Sequence, residues 1–482
     1  LTADRTPRVV GCQESARDEG DAVTRSIQLA DVGKPPLDVP EILPAVGAAE
    51  FEARIAALLA AVDVDQVVVY ADREHAASLV FLCNLDPRFE EVLLVLGRGR
   101  RTLLLGKEDI GYLPVVPIEI DAILCPTLSL MGIDRSGGPT VEQALREAGV
   151  SSGDRIGVVG WKTLLKEESS GTFAPIFAPA FVVDTLREIA GRPELVIDVT
   201  AALTSPRSGL RSFNSADQIA VFEWGAARCS AYVMELLRAA RPGVSERETF
   251  HGVQWGGEPL SFHPVFASGA DVAVGLRSPS SRRLELGDAA IAAIGLWGGN
   301  CARGGLVAAA EADLGSQSDG YLDGLAVPYW RAIATWYEAL ELGAPGGEIF
   351  QEITGLLEGE AFASSLNPGH LIHYEEWLDS PIRAGSTDPI ASGMIFQSDI
   401  IPTGIRPGWT ANCEDTVAIA DADLRAAIES RQPELWSRIT ARRAFMRDTL
   451  GIRVRDEVLP LTPTAGYFPP FWLDLDRALA YA

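Results

Sequence analysis

A change of composition at residues 201–214 (AALTSPRSGLRSFN) divides the chain. Ser, Pro and Arg gather there, as expected of a linker between separately packed units. On its C-terminal side, Ser215 followed three residues later by Gln218 predicts a capping box, and Ile219, Phe222, Ala226, Cys229, Val233 and Leu236 recur at helical spacing. This long helix is expected to stop at Pro242-Gly243, and Ser245 with Glu248 offers a second capping box. On the N-terminal side, strands and helices mix. Ala49–Ala61 reads as an amphipathic helix and Val67–Tyr70 as a buried strand. Val92–Leu96 and Thr102–Leu105 read as a hairpin around the basic turn Gly97–Arg101. Val141–Ala148 then predicts a helix, and Arg155–Val159 and Leu195–Val199 predict strands, which together describe an α/β domain.

A length of 482 residues with 47% hydrophobic side chains supports two or three domains with real cores. The formal net charge of -25 excludes a basic surface, so neither nucleic acid nor an anionic membrane is an expected partner. No apolar run approaches the roughly 20 residues of a membrane span. The polar stretch Thr2 to Arg8 offers no apolar signal core, and a cytoplasmic protein is expected. Six cysteines stand far apart without a CxxC pair, which argues against a zinc ribbon or a disulfide scaffold and for reduced thiols.

A weak internal repeat runs through the second part of the chain. Glu235, Leu237, Pro242 and Gly243 return as Glu338, Leu340, Pro345 and Gly346, each 103 residues later. Each copy reads as a helix, a Pro-Gly turn and the start of another helix, which suggests two related halves.

Three segments carry a more specific signal: Phe262–Leu306, Asn367–Trp377 (NPGHLIHYEEW) and Cys413–Val417 (CEDTV). They resemble the landmarks of the creatinase / aminopeptidase P / prolidase superfamily, the pita-bread fold. The resemblance implies an N-terminal arm at 1–45 and an α/β domain of creatinase/prolidase N-terminal type at 46–200. An α+β pita-bread catalytic-type domain at 205–482 would follow, within a homodimer. Ser268-Gly269 and Gly287-Asp288 match the family's strand and turn without a gap, which puts Leu276 at the position of the family's proton-transferring histidine. The first metal-binding aspartate falls on Ala293. With the following turn taken as Gly299-Asn300, the second falls on Arg303, or one position away. Gly369-His370, Gly393-Met394 and Glu414-Asp415-Thr416 match the remaining landmarks, so His370, Asp399 and Glu414 inherit ligand positions, and Trp377 replaces a second histidine.

The resemblance therefore implies a site that has lost the two carboxylates of the dinuclear centre and gained Arg303 as a neutralising cation or anion binder. No cofactor is expected. The leading expectation is a metal-independent enzyme that hydrolyses, or eliminates across, a C–N or related bond of a small polar metabolite, in the manner of creatinase, with His370, Asp399 and Glu414 as acid/base groups. A catalytically dead ligand- or protein-binding member is one alternative. A mononuclear metal hydrolase or lyase using His370, Asp399 and Glu414 is another.

Further candidates for substrate contact are His373, Glu376 and Trp377 near His370, Arg383 as a carboxylate anchor, and Cys301, which shares a strand face with Arg303. Core packing is the competing reading for the cysteine and the tryptophans, and a polar rim for the His373 segment. Trp297, Trp377, Trp409 and Leu276 suggest an apolar or flat substrate. The glycine-rich run Gly295–Gly305 lacks phosphate-loop spacing, and the GxSxG string Gly149–Gly153 follows a helix instead of opening one, so neither predicts a site.

Overall fold

The computed structural model describes residues 25–171, 175–315, 319–358, 360 and 362–482. Most of the expected N-terminal arm, residues 1–24, lies outside the described residues. The rest of it begins with the strand Ile27–Asp31, which pairs antiparallel with Arg477–Tyr481 at the other end of the chain. Arg228 and Arg442 then hold its backbone at Pro40 and Asp38.

A six-stranded sheet follows, in the order Asp121–Leu124, Arg100–Leu105, Val92–Gly97, Gln66–Ala71, Ile156–Val159, Val196–Asp198. Its side chains alternate between two cores with the period of two that a strand imposes. Val67, Val69, Leu94 and Leu96 pack with Phe51, Ile55 and Leu58 of the helix Ala48–Ala61. Val68, Tyr70, Leu93 and Val95 pack with Leu145 and Leu186 of the helices Val141–Glu147 and Ala180–Ala190. A sheet covered on both faces reads as the continuous apolar runs noted in the sequence. The hairpin turns at Arg98 and Gly99, both left-handed at φ 50° and 73°, the geometry that matches strand twist.

The long helix runs Ala216–Ala239, and the Ser215 hydroxyl accepts from the Gln218 N–H at 3.2 Å. It covers the strands Ala289–Leu296 and Gly299–Leu306 of a four-stranded antiparallel sheet completed by Leu260–Ser268 and Asn412–Glu414. A second four-stranded sheet holds His370–Leu371, Ile395–Gln397, Thr416–Ile419 and Val458–Pro460. The chain steps from the first sheet to the second at Asp415. No described helix is long and apolar enough to cross a membrane. The described cysteines are all buried and unpaired.

The internal repeat is real in the backbone, but its register differs from the sequence reading. Gly243 N–H bonds to Leu284 O, and Gly343 N–H bonds to Ile390 O, 100 residues apart rather than 103. The two Pro-Gly pairs misled because they are not equivalent. Pro242-Gly243 makes a turn, whereas Pro345 caps the helix Gly346–Leu357. The correspondence continues into the sheets: Gly287 N–H bonds to Val307 O, and Gly393 N–H bonds to Ile419 O. Counting on from these paired glycines and back from their acceptors, Ala293 is the counterpart of Asp399, and Ala302 is the counterpart of Glu414.

Candidate active site

Gly369 sets the position of His370. At φ 102° it lies in left-handed backbone, and a Cβ there would come within 2.8 Å of Trp336 Nε1 and 2.9 Å of Gln397 O. Only glycine fits, so the strand His370–Leu371 docks tightly against Gln397 and Phe396. The chain then loops out and returns, with Leu371 N–H bonded to Asp379 O and Leu378 N–H to Leu371 O. That loop lays Trp377 flat on the His370 imidazole, ring centres 4.0 Å apart at 19°. It also brings Glu376 Oε1 to 3.1 Å from His370 Nε2, while Asp399 Oδ2 stands 3.7 Å from the same nitrogen. Both are close charge contacts without the alignment of a hydrogen bond. Nδ1 faces the Leu371 carbonyl at 3.2 Å, so it carries the proton in the neutral ring and leaves Nε2 facing Glu376 and Asp399.

Glu414 enters from the other sheet. Asn300 Nδ2 donates to its Oε1 at 2.8 Å and Gln397 Nε2 donates to the same oxygen at 3.3 Å. The Thr416 hydroxyl donates to Gln397 Oε1, which fixes the amide so that its N–H faces Glu414. Donor atoms of His370, Asp399 and Glu414 all lie within 4.8 Å of one another, and all three residues are buried.

Burial dominates the titration of this group. It pushes the Asp399 carboxyl up to about 6, opposed by the His370 charge. Burial and the neighbouring charges of Asp399 and Glu376 push Glu414 well above the usual carboxylate range. His370 is pushed down by burial, but Glu376 and Asp399 outweigh this and hold it above an ordinary imidazole. Oε1 of Glu414 already accepts two N–H bonds, so a proton on this carboxyl sits on Oε2.

His370 lies behind Asp399, Glu414 and Glu376, covered by Trp377, and these three carboxylates line a cavity of about 900 Å³. Its walls include Phe262, Val265, Ile291, Ala293, Ala302 and Trp409, and Leu276 sits at its edge with a strained φ of 39°. His263, which sequence reasoning passed over, also lines it and faces the Leu276 carbonyl at 2.8 Å. Nothing in the local sequence singled it out, because it precedes the matched Ser268-Gly269 landmark.

His370, Asp399, Glu414, Glu376 and Trp377 thus meet in one place, and the other sequence candidates do not. Arg303 is fully buried on the opposite face of its strand. It pairs with Asp415 at 2.8 Å and donates to the carbonyls of Tyr467, Thr464, Glu414 and Ala302. The hairpin turns at Trp297-Gly298, with Gly299 already opposite Leu296, and not at Gly299-Asn300. One residue of slip swaps the strand's faces, so Ala302, not Arg303, points into the cavity opposite Ala293 and Glu414. Cys301 faces away from the cavity with Arg303 and Thr464, and burial raises its thiol to about 11, which removes thiolate character. His373 is sealed in an aromatic cluster of Phe81, Phe222 and Tyr374, where burial pushes it well below an ordinary imidazole. Arg383 is engaged by Asp388 at 2.7 Å and by the Ser380 carbonyl, in a turn away from the cavity. Trp297 borders a separate cleft of about 620 Å³ against the N-terminal sheet domain, beside Tyr374 and Arg88.

The residues present decide which metal centre fits. A dinuclear centre needs carboxylates where Ala293 and Ala302 offer methyl groups, so that centre does not fit. A single ion does fit His370 Nε2, Asp399 and Glu414, because Nε2 and Asp399 Oδ1 are buried with no hydrogen-bond partner among the described residues.

No protein-family model matches the sequence, and no curated protein matches it. Solved structures do. The dipeptidase PepE of Mycobacterium ulcerans is 19% identical, with 78% of this chain and 94% of that chain covered at a TM-score of 0.57. The prolidase of Pyrococcus horikoshii is 16% identical, with 76% and 95% covered at 0.58. An Xaa-Pro dipeptidase of Bacillus anthracis is 15% identical, with 77% and 96% covered at 0.57. The chain has an N-terminal α/β domain followed by the pita-bread fold that these solved structures share.

Proposed function

We propose that this chain is a hydrolase that cleaves a C–N bond of a small substrate with side chains alone, in the cavity lined by Asp399 and Glu414, with His370 in contact behind them. The carrying observation is the meeting of three buried titratable groups within 4.8 Å at a place where two alanines stand for the missing metal carboxylates. Asp399, with its pKa of about 6, is ionised at neutral pH and takes a proton from the attacking water. Glu414 holds a proton on Oε2 and delivers it to the leaving nitrogen. His370 stabilises the charge that develops between them, and after each turnover the proton taken by Asp399 passes through the imidazole to Glu414, which resets both acids. Water adds to the carbon, the C–N bond breaks, and acid and amine leave. The solved relatives named as dipeptidases and prolidase support hydrolysis as the reaction class.

A second reading has its own support. His370 Nε2, held only by charge contacts, and Asp399 Oδ1, without a hydrogen bond among the described residues, suit one divalent ion, which would be held with Glu414 and would supply Lewis-acid activation of water. Both readings are tested by screening small amides, amidines and ureas with chelator or with added divalent ion. Turnover that survives chelation and falls at least a hundredfold in His370→Gln supports the metal-free hydrolase. Turnover that appears only with the ion supports the second reading.

A further inference from the structure

We infer that the cavity selects an organic cation, a protonated amine or amidinium carried on an apolar body. The inference deepens the proposed hydrolase by naming its substrate class, and it rests on this cavity being the active site.

The first argument is charge. Glu376, Asp399 and Glu414 face one space, with the His370 imidazole against them. Arg406, also on the lining, donates to the Asp319 carbonyl and lies over the Trp409 ring. Among the described residues, none of the three carboxylates is ion-paired with a lysine or arginine; the buried guanidinium of Arg303 is spent on Asp415 behind the strand. By count, three carboxylates outnumber the one imidazole in contact with them, so the floor is acidic. A substrate carboxylate placed there would meet like charge in a poorly screened site.

The second argument is an unmet bonding requirement. Asp399 is only 4% exposed, lines the cavity, and its Oδ1 accepts no hydrogen bond from the described residues. A buried acceptor without a donor is costly, and an N–H of an ammonium or amidinium group supplies what it lacks.

The third argument is shape. Beside the acids stand the methyls of Ala293 and Ala302, and beyond them Phe262, Val265, Ile291 and Trp409. This wall offers a small inorganic ion no ligands, but it suits hydrocarbon or an aromatic ring. A space of about 900 Å³ fits such a body and is far larger than an ion needs. Trp377, stacked on His370, adds an aromatic face at the boundary between acid floor and apolar wall.

The test is calorimetric binding to the full chain in chelator-containing buffer, with benzylamine and benzamidine as cations, benzyl alcohol as the neutral isostere and benzoate as the anion. Both cations are expected to bind at least tenfold more tightly than the alcohol, with benzoate undetected. Glu376→Gln and Asp399→Asn should each weaken cation binding at least tenfold and leave the alcohol within threefold, with unchanged near-ultraviolet circular dichroism as the check on folding. Equal affinity for amine and alcohol, binding of benzoate, absence of binding by both cations, or cation affinity indifferent to both variants would each overturn the inference. Cation binding without turnover of any substrate defeats the hydrolase proposal alone, whereas turnover of neutral amides without cation preference defeats this one alone.

Discussion

Replacing Arg303 by Met separates the two places this residue has been put: the substrate cavity, by sequence register, and the protein interior, by structure. In the interior its guanidinium is at zero exposure, with Nη2 donating to both oxygens of Asp415 at 2.8 and 3.0 Å and four backbone carbonyls as further acceptors. Removing one partner of a buried pair costs about 3–5 kcal/mol, because the other charge stays behind unpaired. Asp415 keeps hydrogen bonds from the Thr464 hydroxyl at 2.8 Å and Gly466 N–H at 3.3 Å, which soften that loss. The carbonyls it leaves add a smaller amount, since Thr464 O keeps the Tyr467 N–H and Tyr467 O keeps the Cys413 thiol. A loss of about 5 kcal/mol results, the lower end of a whole domain's stability. The double variant Arg303→Met, Asp415→Leu removes both charges and is expected to recover at least half of it. Urea unfolding followed by tryptophan fluorescence reads the loss, and benzylamine titration of the folded protein reads the cavity, which should be unaffected. An Arg303→Met protein within about 1 kcal/mol of the parent but with altered ligand binding would refute the reasoning and return Arg303 to the site.

Four further outcomes follow from the same geometry. The folded-state pKa of Asp399 is raised from 3.8 to about 6, so the native chain binds more protons than the unfolded one between those values and this residue's contribution to stability falls as pH rises through that window. Asp399→Asn should flatten that slope in denaturation curves and stabilise the protein at pH 7 by up to about 3 kcal/mol. With Asp399 as the base, kcat/KM should fall as pH drops through about 6, and a rate independent of pH from 5 to 7 would remove it from that role. Ala293→Asp with Ala302→Asp should create a divalent-metal site measurable by calorimetry, whereas Ala293→Asp with Arg303→Asp should bind no metal and unfold. Arg383→Ala should cost about 1 kcal/mol or less, since its Asp388 partner is also held by Arg207, and should leave benzylamine binding unchanged.

Much of this architecture was legible because it rests on local chemistry. The Ser215 cap, the two-faced apolar strands and the Gly369-His370 and Glu414-Asp415-Thr416 landmarks each state their own geometry in a few residues. Ser245 and Glu248 do form the reciprocal capping pair expected of them, although it opens the short 3-10 turn Glu248–Gly252 rather than a full helix. What escaped was register. Placing the second aspartate position one residue late was enough to pick the wrong face of Gly299–Leu306 and put Arg303 where Ala302 stands, because strand faces alternate residue by residue. The repeat failed in the same way: Pro-Gly marks both turns and helix starts, and only the backbone bonds of Gly243 and Gly343 tell the two apart. His373 was misplaced because proximity in sequence to His370 says little once the chain leaves the strand and its ring turns into an aromatic core. Asn300 and Gln397, which orient Glu414, carried no signal at all, since neutral amides in apolar strands become meaningful only once their partner is known.

The central claim is that the fold keeps three of its site groups and works without a bound metal. Elemental analysis of the purified protein, as isolated and after brief exposure to divalent metal, beside the His370→Ala variant, tests it most directly. The account predicts well under one equivalent of any divalent metal in all samples. One equivalent in the parent protein that His370→Ala abolishes would contradict it and make the cluster a rebuilt mononuclear centre.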